Sequence, residues 1–420
     1  MNILINLPDT LYVMRMSPRQ DIVTMHTEFN IYFENIIYPY NKNWDVLVNC
    51  KYGKNFGNCW RLNDYNENDS DFDFEIVIYN ECGEKLISKK SKIVVSDRTE
   101  NNYAKIMFIG DSMTHAQEYI NHIVSCLYGI QTIGTRSIDG MIKQEGRGGW
   151  CYNQYLTGFC EQPGASPFLF PKGVDANDYY GDKDFADKIL DNTAPTYSYY
   201  GFDYNPISDG QYFVRKGVLF RKNNDNEEMV SERPEFEFSF EKYIKKNNLD
   251  MPDMVSLFMG ANDLSCVGCS YNEINDKIKD LVMHTQTVID SIHDCSNKIK
   301  VIINLPIICG EQHAWGNQFG CNGSAKMYRY AISHAAKKIL DKFDNAQRNN
   351  IFISPMLLCI DPINGFQMGF EKVNRYCEKS EKYHSDCIHP NNSGYCQIGD
   401  ALACVIEYIR RMVLESENKI

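Results

Sequence analysis

The sequence predicts an α/β fold with a parallel sheet, preceded by a small all-β domain, on three observations. Residues 1–98 carry short runs of period-two alternation, separated by clusters of Asn, Gly and Asp. From about residue 103 onward, apolar runs alternate with amphipathic helical stretches. Those apolar runs are short and almost uninterrupted, as in strands covered on both faces of a parallel sheet.

In the N-terminal part, residues 21–33, 72–79 and 93–95 are the strand candidates; Phe72, Phe74, Ile76 and Ile78 alternate with polar neighbours. Residues 52–58 and 80–83 have the composition of hairpin loops. A sandwich-like module over 1–98, packed against the rest of the chain, is the plain expectation. Tyr38, Tyr40, Trp44 and Trp60 look exposed and would instead suit a carbohydrate-binding or anchoring module. The polar run 96–102 reads as a linker, which leaves 103–420 as the second domain.

In that domain the strand candidates are 106–109, 254–258, 299–303 and 351–354, and the helix candidates are 113–128, 273–293, 324–343 and 395–412. Within 273–293, Ile274, Ile278, Leu281, Val282, Val288 and Ile292 fall mostly on one face, marking a covering helix. Functional residues of such a sheet belong at the carboxyl ends of its strands.

Composition narrows the function. A chain of 420 residues with 43% hydrophobic content can bury a full core. A net charge of −12 without a long basic run argues against nucleic acid as a partner. No run of about 18 apolar residues occurs, so no membrane-spanning helix is expected. The N-terminus lacks the charged start and apolar core of a signal peptide, so the 16 cysteines read mostly as reduced thiols. A chain from which a signal had been removed would read the same, so compartment stays open, as does oligomeric state.

Three stretches carry chemistry. At Gly110, Asp111 and Ser112 a strand breaks into a helix, which holds the Ser112 hydroxyl at the open end of the sheet with its N–H at a helix start. Gly260 to Asp263 follows an apolar strand and delivers Asn262, a neutral amide able to donate to developing negative charge. Asp386 and His389 lie three apart in a turn before the final helix, where the carboxylate can orient the imidazole toward Ser112. Singly, each is an ordinary turn or cap. Together they supply nucleophile, donor and base on one edge of one sheet.

Those residues resemble the blocks of the SGNH, or GDSL, hydrolase family. Gly110, Asp111 and Ser112 look like its first block, Gly260 to Asp263 like its third, and Asp386 with His389 and Pro390 like its fifth. The second block is similar to Glu145 to Trp150, where the family's Gly-x-x-Gly spacing selects Gly149, with Gly148 the lesser alternative. The resemblance covers roughly 103–415. It implies a three-layer α/β/α, flavodoxin-like domain and an ester hydrolase with Ser112 as nucleophile, His389 as general base and acid, and Asp386 orienting it. The N–H groups of Ser112 and Gly149 and the amide of Asn262 would form the oxyanion hole; no metal or other cofactor is required. Asp111 and Asp263 are expected to brace their turns.

Gly149 and Gly260 lie 111 positions apart, so a large insertion, about 151–250, separates blocks two and three. It is rich in aromatics: Phe168, Phe170, Tyr179, Tyr180, Tyr197, Tyr199, Tyr200, Tyr204, Tyr212 and Phe213. These either present flat faces to a sugar or pack an irregular loop. Trp150 is placed to wall the acyl pocket and favour small acyl groups. Cys266 and Cys269, or Cys309, His313 and Cys321, offer a weakly spaced metal or redox reading against ordinary thiols. The resulting expectation is a serine esterase acting on an acylated, most of all acetylated, carbohydrate. The alternatives are a lipase or thioesterase, or a glycan-binding protein with a vestigial hydrolase domain.

Overall fold

The structure, a computed structural model, describes residues 3–15, 29–62, 69–99, 103–157, 166–183, 206–224 and 226–417. At its centre five strands run parallel in the order Ile130–Ile133, Ala104–Gly110, Met254–Phe258, Lys300–Asn304, Ile351–Ser354. This is the flavodoxin-like order 2-1-3-4-5. All five residues of Met254–Phe258 are buried, as are all four of Ile351–Ser354, which is why these strands read as continuous apolar runs. The short segment Glu145–Gly146 adds a parallel pairing at the carboxyl end of Ala104–Gly110.

Helices cover both faces. Tyr271–Cys295 packs against Ala325–Phe343 on one side, and Glu118–Cys126 against Asn392–Glu417 on the other. Ser270 and Glu273 form a capping box at the start of Tyr271–Cys295, and Ser324 caps Ala325–Phe343. The helices that follow the neighbouring strands Ala104–Gly110 and Met254–Phe258 therefore leave into opposite layers. This opens a crevice at the carboxyl ends of those two strands.

The expected helix 113–128 is two pieces, Ser112–His115 and Glu118–Cys126. The break is at Gln117, held at φ 63°, whose buried side-chain oxygen accepts from the Ile138 N–H at 2.7 Å. A tertiary bond has overridden a helical pattern, so the helix at Ser112 is a single turn and lends little macrodipole.

The N-terminal region is β-rich. Thr10–Arg15, Lys85–Asp97, Asp71–Tyr79 and Asp45–Cys50 form one sheet, parallel only at its first pair; Phe29–Tyr32, Cys59–Leu62 and Lys54–Asn55 form another. Of the strand expected at 21–33, the described part is strand over Phe29–Tyr32 and then turns helical at Phe33–Ile36; 16–28 lie outside the described residues. Trp60, expected to be exposed, is core. It packs edge-on to Phe74, and a Cβ at Gly53 would strike its indole. Tyr38, Tyr40 and Trp44 are half-buried, and Tyr38 meets Tyr330 and His334 of the helical layer.

Buried amides fasten this region to the parallel sheet's helices. Asn35 donates to the carbonyls of Leu357 and Ile360, and Asn6 donates to that of Ser333. The run expected as a linker is strand up to Asp97, and Thr99 donates to Glu407 on the last helix at 2.6 Å.

The insertion has regular structure: a four-stranded sheet of Tyr179–Asp182, Tyr212–Arg215, Val218–Asn223 and Asn226–Ser231, then the helix Phe240–Lys246. Phe168, Phe170, Tyr179 and Phe213 are buried and pack it, while Tyr180 and Tyr212 are half-buried. The sugar-facing reading therefore does not hold for those four, whose faces are taken up by packing; Phe168 alone stacks near Phe238, Phe240 and Tyr243. Tyr197, Tyr199, Tyr200 and Tyr204 lie outside the described residues.

Candidate active site

Ser112 opens its one-turn helix directly after the strand. Asp111 caps that turn, accepting from the Met113 N–H at 3.0 Å. The strand can end this tightly only because residue 110 is glycine. A Cβ there would lie 2.7 Å from the Phe258 carbonyl oxygen and collide with the Thr114 side chain.

Ser112 Oγ lies 2.8 Å from His389 Nε2, and His389 Nδ1 lies 3.1 Å from Asp386 Oδ2. A carboxylate only accepts, so Nδ1–H donates to Asp386 and Nε2 is left to accept from Ser112. The other Asp386 oxygen accepts the N–H groups of Ile388 and His389 at 2.7 and 2.8 Å, which fixes the carboxylate to its own turn. Burial works to raise Asp386, but the bonds from His389 and those two N–H groups outweigh it and hold the carboxyl below its usual range. Asp386 in turn raises His389, with Asp111 adding to the effect against the opposing burial.

Gly149 sits at φ +77°, a conformation that favours glycine, and it is exposed with open space where a Cβ would point. No such φ occurs at Gly148. The Gly149 turn is closed by Trp150 N–H donating to the Arg147 carbonyl at 3.2 Å, and the Arg147 N–H donates to the Gly110 carbonyl at 2.9 Å. Asn262 donates one amide hydrogen to the Trp150 carbonyl at 2.9 Å, which orients the amide and leaves its second hydrogen. Asp263 accepts from the Tyr152 N–H at 2.9 Å. Burial pushes Asp111 up to about 7 and Asp263 up to about 6. Asp111 caps the turn it was expected to brace, and Asp263 ties the Asn262 loop to the start of Tyr152–Thr157.

Trp150 is half-buried, with its ring edge-on to Tyr155 and the Arg147 guanidinium over its face at 5.2 Å. Beneath it lies a network not read from the sequence. Glu145 and Arg147, both buried, pair at 2.8 Å, and Glu145 Oε1 also accepts from Thr135 N and Oγ1 at 2.6 Å and from the Tyr243 hydroxyl at 2.5 Å. The Tyr155 hydroxyl lies between the Gly110 and Glu145 carbonyls at 2.8 and 2.5 Å. Burial alone would raise Glu145, yet Arg147, Thr135 and Tyr243 hold it below the usual carboxylate range. Two opposite charges beside a glycine were the only signal, and that is equally the signature of a solvated pair.

Cys266 and Cys269 are free thiols joined only through a backbone turn, and Cys309 and Cys321 are also free. His313 is occupied by Glu371 at 2.7 Å and stacks on Tyr383, and Cys387 Sγ bonds Gln318 rather than the Asp386 and His389 side chains. Among the described residues no helix is long and apolar enough to cross a membrane.

Compared with known proteins, residues 106–402 match the family model described as GDSL-like Lipase/Acylhydrolase. The chain belongs to this family. A GDSL acylhydrolase acts on acyl esters, so the chain is assigned to the ester hydrolases. Similar solved structures include a carbohydrate esterase family 3 protein from Talaromyces cellulolyticus, with 12% identity over 73% of this chain and 98% of that one and a TM-score of 0.35. Another is Est24, a carbohydrate acetylesterase from Sinorhizobium meliloti, with 11% identity, 73% and 99% coverage and a TM-score of 0.33. A third is the native M. smegmatis aryl esterase, with 11% identity, 72% and 98% coverage and a TM-score of 0.33. No curated protein matches the GDSL chain.

Proposed function

We propose that this protein is a serine esterase that removes small acyl groups, chiefly acetyl, from a carbohydrate. The observation that carries the reading is the unbroken chain Ser112, His389, Asp386 at 2.8 and 3.1 Å. His389 Nε2 takes the Ser112 proton as Oγ attacks the ester carbonyl, then returns a proton to the leaving alcohol. Asp386 holds the tautomer and stabilises the imidazolium. The N–H groups of Ser112 and Gly149 and the free hydrogen of Asn262 receive the oxyanion. Support for a bulky polar alcohol comes from the openness of the site: the His389 side chain is 37% exposed and Gly149 faces open space. Trp150, fixed by Arg147 and Tyr155, is positioned to limit the acyl side. We read residues 1–98 as a buttress for the domain at 103–420 rather than a glycan module, since Trp60 and the Asn6 and Asn35 amides are committed inward.

Acetate release from a panel of acetylated polysaccharides, together with rates on acetyl, butyryl and octanoyl esters, tests the reading. A preference for octanoyl over acetyl would sink it in favour of a lipase. Asn262→Ala is expected to lower kcat about 10²–10³-fold with little change in KM, since the lost donor acts on the transition state.

The pH profile follows from the raised His389. As base it must be neutral, so kcat/KM falls on the acid side with a midpoint above the ordinary histidine value. In Asp386→Asn the imidazolium loses its partner; the midpoint moves down and the plateau rate drops roughly 10⁴-fold. A midpoint unmoved by this substitution would count against Asp386 as the orienting group.

A further inference from the structure

We propose that His122, Cys126 and Asp400 form a three-ligand site for a divalent transition-metal ion of the zinc class, separate from the Ser112 site. His122 and Cys126 stand four residues apart on Glu118–Cys126, so both side chains leave the same helix face. Asp400 meets them from Asn392–Glu417. The three ligand atoms all lie within 4.8 Å of one another, the only such His, Cys and carboxylate grouping among the described residues. His122 Nε2 is 2.8 Å from Asp400 Oδ1 and 3.5 Å from Cys126 Sγ.

Those spacings suit the ion. Ligand bonds of about 2.0 Å to nitrogen and 2.3 Å to sulfur at tetrahedral angles place N and S about 3.5 Å apart. The nitrogen and oxygen need about 3.3 Å, so Asp400 must withdraw by about half an ångström, replacing a hydrogen bond with two metal bonds. Imidazole, thiolate and carboxylate together favour zinc-like ions over calcium or magnesium. Cys126 is buried while His122 and Asp400 are part-exposed, which leaves an outer position for water. The helices come this close because residue 399 is glycine: a Cβ there would lie 2.9 Å from the His122 ring and 3.1 Å from the Tyr119 carbonyl oxygen.

The two helices are those that follow Ser112 and His389. An ion here cross-links the nucleophile segment to the base segment without touching the ester.

Titration of the full chain with Co²⁺ tests the site. Near-stoichiometric Co²⁺ should give the visible bands and the near-ultraviolet sulfur-to-cobalt band of tetrahedral thiolate coordination. Cys126→Ser should abolish the sulfur band, Asp400→Asn should weaken it, and Cys269→Ser should leave it intact. Zn²⁺ should raise the unfolding midpoint of the wild type and not that of Cys126→Ser. In case a variant folds poorly, Zn²⁺ should also protect Cys126 of the wild-type chain from alkylation in urea at the unfolding midpoint of the metal-free chain, where the buried thiol becomes accessible, read by mass spectrometry. A sulfur band that survives Cys126→Ser overturns the proposal, as does unprotected alkylation of Cys126 in excess Zn²⁺. The cluster is then a histidine–carboxylate ion pair between two helices.

Discussion

Ser112→Ala is expected to lower kcat on an aryl acetate on the order of 10⁶-fold while leaving the unfolding midpoint unchanged. The two halves of this result have separate causes. Ser112 is half-buried and its hydroxyl bonds His389, so removing one oxygen opens no core cavity. In the proposed reaction the same oxygen is the nucleophile, and without it the proton transfers of His389 and the orienting bond of Asp386 have no attack to assist. His389→Ala should therefore cost nearly as much, and the double variant little more than either alone, because residues that act as a unit do not add. Steady-state rates of purified variants, with acetate measured directly, check this. Equal turnover by wild type and Ser112→Ala would falsify the enzyme reading.

Glu145→Ala is expected to cost about 3–5 kcal/mol of stability, the second large effect. It strands the Arg147 guanidinium, which is 3% exposed, without its carboxylate, and it removes the acceptor used by Thr135 and Tyr243. Because Arg147 also ties the Gly149 turn to the end of the nucleophile strand, kcat should fall as well, through a displaced oxyanion donor. Urea unfolding of the single variant and of Glu145→Leu with Arg147→Met separates the two effects. The paired apolar replacement should recover most of the stability, since it leaves no unpaired charge, yet not the full kcat. Recovery of both would mean that the pair is mere packing.

How much was legible depended on whether a local pattern reported the contact that mattered. The strands at 106–109, 254–258, 299–303 and 351–354 fall within the observed ones or one residue from them, because strands buried on both faces announce themselves as apolar runs. That Ser112, His389 and Asp386 would meet was legible because each stands in a turn next to a strand end or helix start, and a positive φ separates Gly149 from Gly148. The helix break at Gln117 was not, since its cause is the Ile138 N–H twenty-one residues away. Trp60 misled, and Phe168 was left open between two readings, for a related reason. An aromatic side chain carries no mark of whether its face meets solvent or another ring, and here Phe74 and Tyr243 decide it. The Glu145–Arg147 pair was hidden because Tyr243, which closes over it, arrives from the far end of the insertion.

The last helix joins the two ends of the chain. It begins three residues after His389, and further along Tyr408 lies 4.3 Å from the Tyr12 ring while Glu407 accepts from Thr99 and Arg411 pairs with Asp97. The strand Thr10–Arg15 thus packs on the helix that follows His389, and the protein is expected to melt as one cooperative body rather than shed its amino-terminal part. Amides along the last helix should exchange with solvent at the rate of global unfolding. Damage near residue 12 then reaches the esterase through loss of protection, with no reacting atom displaced in the folded molecule.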